Sequence, residues 1–234
     1  MSSLALVTGA AHRLGKAFAL TLARLGYDIL LHYHSSTESA LQTKLKIESL
    51  SRSVTLAQAD LTNPSQIESL LSNIEDLDVL VNSAAFMPKG KVNAHTLENW
   101  DTALDLNLRA PFLLAQECAK KMTNGGLIVN ISDVGAQKVW SRYPSYTVSK
   151  AALESLTKIL ARALAPKIRV NAISPGFVLQ SDIVSPEEWE RLIGRIPLKR
   201  PARTEEITSA LEFLLHNQYI TGQIIVVDGG YSLI

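Results

Sequence analysis

Residues 129–154 read V-N-I-S-D-V-G-A-Q-K-V-W-S-R-Y-P-S-Y-T-V-S-K-A-A-L-E, and they decide the fold. The run 127–131 that leads into them is short, apolar and rich in β-branched residues, the pattern of a strand buried on both faces. The stretch closes on helix formers, with Tyr146 and Lys150 four residues apart. That spacing puts the phenol and the ammonium on one helix face, about 5–6 Å apart at Cβ. A cation there favours the phenolate and is expected to bring the phenol's pKa down from about 10. Tyr146 is therefore a candidate proton donor. Asp133, thirteen residues before it, falls where the strand ends and a loop begins.

The same alternation extends outward in both directions. Toward the N-terminus, 4–8, 29–33, 54–57 and 78–81 read as strands. Helical patterns lie between them over 16–25, 38–50 and from Pro64, with Gly26 as a C-cap and Pro64 at a first helical position. Two helical stretches are expected before the 127–131 strand, the longer over 100–122. The Tyr146 helix is expected to run to Pro166, followed by a strand over 168–173 that Ser174-Pro175-Gly176 breaks. Pro186 opens a short helix, 205–216 form another, and 224–227 make a last strand. Strands apolar on both faces, alternating with helices, predict an α/β fold: a doubly wound parallel sheet covered by helices on both sides. No linker or repeat interrupts 1–234, so one domain is expected.

Composition excludes several classes of function. A net charge of +1 with interspersed signs offers no basic face to nucleic acid and no polybasic patch to a membrane. The single cysteine, Cys118, rules out an internal disulfide framework and fits a reducing compartment; in its helical pattern it is expected as a packed or interface thiol. The N-terminus lacks a charged leader pattern, and no apolar run reaches the ~18 residues of a membrane span. A soluble, cytoplasmic protein with a small-molecule substrate and no metal is the expectation.

In such a sheet the loops at the carboxyl ends of the strands build the binding crevice. Gly9-Ala10-Ala11-His12-Arg13-Leu14-Gly15 is the first of them. Small residues there let the backbone approach a pyrophosphate, and the following helix N-terminus favours its charge. The second strand leaves as Leu31-His32-Tyr33-His34-Ser35-Ser36, with no acid before Glu38. An acid at that place would hold free ribose hydroxyls, whereas imidazoles and hydroxyls can donate to a 2′-phosphate. NADP(H) is the expected dinucleotide, with Arg13 adding charge for its phosphates or for the substrate.

The first turn, the Asn82 strand exit, the Tyr146/Lys150 pair, Pro175-Gly176 and the terminal Thr221-Gly222…Val227-Asp228-Gly229-Gly230 stand in the order of a known family. On these motifs the whole chain resembles the short-chain dehydrogenases/reductases. The resemblance implies that Tyr146 donates the proton and that Lys150 holds the nicotinamide ribose. It implies that Asn107 anchors a water feeding Lys150, and that Asp60 and Leu61 lie at the adenine. Asn82, Ser83, Ala84, Pro175 and Gly176 would lie along the cofactor, although Asn82-Ser83-Ala84-Ala85 departs from the usual Asn-Asn-Ala-Gly. It further implies a homotetramer packed through the helices containing Asn107 and Tyr146.

Two departures narrow the resemblance. Arg13 stands for the usual middle glycine of the first turn, and Asp133 for the usual serine. With His32-Tyr33-His34 and the ending V-D-G-G-Y-S-L, they make the chain similar to the pteridine reductase branch, although Ser35 stands where some members carry arginine. That likeness implies NADPH-dependent reduction of a pterin or folate ring, with the ring stacked on Phe86 and Arg13 near phosphates and substrate. The segment 177–196, with Trp189, would cover the substrate. Chemistry agrees. A serine hydroxyl donates to the oxyanion that grows as a ketone accepts hydride, and a carboxylate would repel it. A pterin offers C=N and N–H groups instead, and burial would make a protonated Asp133 accessible. A carbonyl or 3-oxoacyl reductase on the same fold, or a non-catalytic dinucleotide sensor, stays open beside it.

Overall fold

The computed structural model describes residues 3–181 and 184–234. In chain order the elements are β1 (Leu4–Val7), α1 (Arg13–Arg24), β2 (Asp28–Tyr33), α2 (Thr37–Glu48), β3 (Val54–Gln58), α3 (Pro64–Leu71), β4 (Val79–Asn82), α4 (Leu97–Leu104) and α5 (Ala110–Lys121). Then come β5 (Gly126–Ile131), α6 (Gly135–Lys138), α7 (Pro144–Leu164), β6 (Ile168–Pro175), α8 (Pro186–Ile193), α9 (Thr204–His216) and β7 (Ile224–Val227). The strands form one sheet in the order β3-β2-β1-β4-β5-β6-β7, every pair parallel. Strands are added outward in one direction from β1 to β3 and in the other from β4 to β7, and the switch point between β1 and β4 opens a crevice at the carboxyl ends.

Alternation along each strand explains why helices cover both faces. Ala5, Val7, Ile29, Leu31, Val79, Val81 and Val129 turn to one side, against Phe18 and Leu22 of α1, Ile47 of α2 and Leu211 of α9. Leu6, Leu30, Leu80, Ile128 and Val170 turn to the other, against Ile67 of α3, Leu114 and Cys118 of α5 and Leu160 of α7. Burying one such side chain contributes about 1.5–3 kcal/mol, and a one-residue slip would exchange the two sets. Cys118 is fully buried in the second layer, its thiol pKa pushed up by desolvation, so it is a packing residue.

Several boundaries differ from the sequence expectation. The helix expected over 100–122 is interrupted: α4 ends at Leu104, a π turn spans Asp105–Arg109, and α5 follows. Pro111 supplies the reason, since it has no N–H to return to the Asn107 carbonyl four residues back. β6 runs through Ser174 and Pro175, which pair with Val226 and Val227 instead of breaking the strand. Pro175 is tolerated as the last residue of β6, where the ladder stops. α1 begins at Arg13 rather than after Gly15, and α6 was not expected. Of the segment 177–196, positions 182 and 183 lie outside the described residues. Among the described residues no helix is long and apolar enough to cross a membrane, and no cluster of His, Cys, Asp and Glu could hold a metal ion.

Candidate active site

A cavity of about 990 Å³ lies at the carboxyl ends of the strands. Its dinucleotide half is shaped by backbone. Gly9 has φ +63, and a Cβ there would come 2.9 Å from the Ala84 Cα; a Cβ on Gly15 would run into the Gly9 carbonyl oxygen. The first turn is thus pressed against the exit of β4 and against itself, with no room for side chains. Among the described residues no side chain caps α1, which leaves its first-turn N–H groups available to an anion. Arg13, at φ 52, occupies the left-handed region where a non-glycine residue costs about 1–2 kcal/mol. Its guanidinium donates to the Leu179 carbonyl at 2.8 Å and to that of Gln180 at 3.2 Å.

The end of β2 divides the expected phosphate ligands. His32 is buried, accepts the Gly9 N–H on Nδ1 at 3.1 Å and donates Nε2–H to the Ala59 carbonyl at 3.0 Å. Desolvation pushes its pKa down to about 4, so it is neutral and its N–H is already engaged. Of the two imidazoles expected to donate to a 2′-phosphate, both line the cavity, but His32 already gives its N–H to Ala59, because β2 ends at Tyr33 and leaves His32 inside and His34 outside. His34, Ser35 and Ser36 line the cavity, as do Leu14, buried Tyr33, Asp60 and Leu61.

Asn82 is likewise relocated. Its side chain is buried and donates to Asn130 Oδ1 at 2.9 Å, and Asn130 donates to Thr157 at 2.9 Å. It ties β4, β5 and α7 together and does not line the cavity, whereas Ser83 and Ala84 do. Both of their N–H groups donate to Thr8 Oγ1, at 2.9 and 3.0 Å, which holds the β4 exit against β1.

The other half is shaped by charge. α7 starts at Pro144 and carries Tyr146, Ser149 and Lys150 on its inner face, all buried. The Tyr146 hydroxyl donates to Asp133 Oδ2 at 2.8 Å, while Asp133 Oδ1 accepts the Gly135 N–H at 2.6 Å and so starts α6. Lys150 Nζ donates to the Ile131 carbonyl at 2.6 Å and stands 5.7 Å from the Tyr146 ring centroid. Desolvation pushes the Asp133 carboxyl up to about 6, against the Gly135 and Tyr146 hydrogen bonds and the Lys150 charge. Desolvation also brings Lys150 down to about 8. Tyr146 is held well above the ordinary phenol range, first by desolvation and then by the Asp133 charge. The expectation of a phenol lowered by Lys150 is not met in this structure: desolvation first, and then the carboxylate accepting its hydrogen, oppose ionisation.

Asn107 sits in the π turn, fully buried and away from the cavity. Its side chain accepts the Phe86 N–H at 2.8 Å and donates to the Phe86 carbonyl and to Ser149 Oγ, both at 2.9 Å. It clamps Phe86, which lines the cavity, to α7. Pro175, Gly176 and Trp189 also line it. The sequence reading missed an aromatic wall: Trp140 against Tyr143 and Phe177, and Phe177 against Trp189 and Tyr231 at 4.9–6.2 Å. Its members come from separate segments, so no periodicity announces them.

A family model described as enoyl-(acyl carrier protein) reductase matches residues 9–232. The 3-oxoacyl-[acyl-carrier-protein] reductase FabG of Staphylococcus aureus is 34% identical, with 98% of each chain covered. Among solved structures, FolM alternative dihydrofolate reductase 1 from Brucella suis, in complex with NADP, superposes with a TM-score of 0.93 and 35% identity over 99% of this chain and 96% of that one. Acetoin dehydrogenase YohF from Salmonella typhimurium gives 0.90 and 32%, covering 100% of this chain and 98% of the other. With a family model matched over 9–232 and relatives similar over nearly their whole length, the chain belongs to the short-chain dehydrogenase/reductase family.

Proposed function

We propose that this chain is an NADPH-dependent reductase of a pterin or folate ring. One observation carries the reading: the Tyr146 hydrogen points at a carboxyl, Asp133, at 2.8 Å. A ketone reductase needs donors converging on one carbonyl oxygen, and an ionised acceptor there opposes the developing alkoxide. A C=N bond takes hydride at carbon and a proton at nitrogen, which a carboxylic acid with a pKa of about 6 is suited to deliver.

The bound dinucleotide would supply the hydride. The first turn and the α1 N-terminus would hold its pyrophosphate, His34, Ser35 and Ser36 its 2′-phosphate, and Lys150 its nicotinamide ribose. Phe86, clamped by Asn107, offers a ring face to a flat heterocycle. Asp133 takes up a proton as the apolar ring displaces water, passes it to the ring nitrogen, and is reprotonated through Tyr146. The residues 177–196 would close the outer side, with Trp189 in the aromatic wall.

The similarity to the Brucella alternative dihydrofolate reductase supports this reading; the similarity to 3-oxoacyl-[acyl-carrier-protein] reductases favours a second one, reduction of a 3-oxoacyl thioester. Initial rates of NADPH and NADH oxidation with dihydrobiopterin, dihydrofolate and an acetoacetyl thioester separate the two. Turnover of the pterins with NADPH is expected, and activity confined to the thioester would end the proposal. Asp133→Ser should lower pterin turnover about 100-fold and raise that of the ketone. We also infer a homotetramer, on the half-exposed apolar side chains Phe112 of α5 and Val148 and Ile159 of α7. Sedimentation velocity should find four copies; a monomer would refute it.

A further inference from the structure

Arg13 makes contacts that the functional reading above does not use. It is the first residue of α1, in a backbone conformation suited to glycine, yet it carries a long cationic side chain. Two of its N–H donors reach across the crevice to consecutive carbonyls, Leu179 at 2.8 Å and Gln180 at 3.2 Å. Leu179 lines the cavity together with Phe177 and Val178, and Phe177 is the centre of the aromatic wall, touching Trp140, Trp189 and Tyr231. The segment from Phe177 to Gln180 is therefore fixed at one end by ring packing and at the other by this guanidinium. Among the described residues no carboxylate lies within ion-pair distance of Arg13, and its hydrogen-bond partners there are these two carbonyls.

We propose that Arg13 is a positioning residue that couples the dinucleotide to the substrate wall. The inference rests on dinucleotide binding at the α1 N-terminus and not on which ring is reduced. A guanidinium has further N–H donors beyond the two engaged here, arranged in a fixed planar fork. A pyrophosphate seated at the helix N-terminus takes these remaining donors while the carbonyl bonds persist. Anion and wall then share one cation, each making the other's geometry cheaper to hold. Linkage makes the effect reciprocal: a seated wall tightens the dinucleotide by the same factor by which the dinucleotide steadies the wall. A glycine at this position, the residue usual at that place in the family, could not transmit it.

The test is hydrogen exchange read by mass spectrometry on peptides spanning 177–181, with and without saturating NADP+, saturation being set for each protein by calorimetry. Wild type, Arg13→Gly and Arg13→Gln are compared; glycine accepts the local backbone, and glutamine keeps the strained backbone but lacks the fork. NADP+ should slow exchange of the segment about tenfold in wild type and no more than about twofold in either variant. A variant that keeps the full NADP+-dependent slowing would overturn the coupling. Should wild type fail to bind NADP+, the dinucleotide reading itself fails; binding without any effect on 177–181 refutes the coupling alone. A merely structural Arg13 would shift the exchange of the free protein and leave the NADP+-dependent ratio intact.

Discussion

His32 and Asp133 are both ionisable groups that desolvation pushes toward neutrality, one in each half of the crevice. His32 resolves the conflict completely. It is neutral at pH 7, with one ring nitrogen accepting from Gly9 and the other donating to Ala59, and so it acts as a brace between the first turn and the β3 exit. Asp133 does not: with a pKa of about 6 it is mostly ionised at pH 7, and both oxygens accept from donors that would tolerate either state. A buried group satisfied by backbone is structure, whereas one left near its titration point is chemistry.

The largest effect that could break this contrast is on turnover. Tyr146→Phe removes the hydroxyl that donates to Asp133 and should lower kcat about 10²–10⁴-fold, the range for a lost acid–base group. NADP+ affinity should stay within about twofold, because the dinucleotide half is built from other residues. Steady-state rates beside calorimetry read both. Loss of NADP+ binding together with kcat would mean that the halves are not separable.

Stability against pH sharpens the comparison, because the two groups act with opposite signs. His32 is lowered from 6.5 to about 4, so its contribution is full above pH 6.5 and is lost as pH falls toward 4. Asp133 is raised from 3.8 to about 6, so the fold binds the extra proton and gains stability as pH falls from 6 toward 3.8. Each shift corresponds to about 3 kcal/mol, and in the native chain the two nearly cancel. Urea melts should therefore show Asp133→Asn losing about 3 kcal/mol more than wild type between pH 6.5 and 4, and His32→Asn gaining by a similar amount. Parallel curves for all three proteins would refute the assignment. In the same pH series wild-type kcat/KM, which reports the free enzyme, should fall as pH rises through about 6, and the Asp133→Asn profile should lack that limb.

The sheet was legible because its signal is local. Val7 and Leu6, or Val81 and Leu80, face opposite layers by alternation alone, and both layers are apolar. The first turn was legible for a similar reason, since Gly9 and Gly15 are the residues that close contact demands. Protonation was not. Whether Tyr146 ionises depends on a carboxylate brought from the end of β5, and spacing along α7 shows only Lys150. The two histidines differ by a strand end that lies between them, which their shared chemistry does not reveal. The resemblance gives Asn107 a water that feeds Lys150, and no spacing along the chain shows that the π turn before Pro111 directs its side chain to Phe86 and Ser149.

Phe86 lies where the halves meet, and it gives the smallest and most selective effect. Its N–H and carbonyl are both held by Asn107, so the backbone stays in place when the ring is removed. Phe86→Ala therefore deletes a stacking face and little else. An aromatic pair contributes about 0.5–1.5 kcal/mol beyond its buried area, which converts to roughly a two- to tenfold rise in the KM for a pterin. The value of kcat should hold, because stacking binds the ground state and the transition state alike. Asn107→Ala releases the same ring from the other side but also frees Ser149 and the Tyr146 turn of α7, so KM and kcat should move together. If Phe86→Ala left the pterin KM unchanged, the ring would belong to the packing of the crevice and the heterocycle would have to lie against the aromatic wall instead.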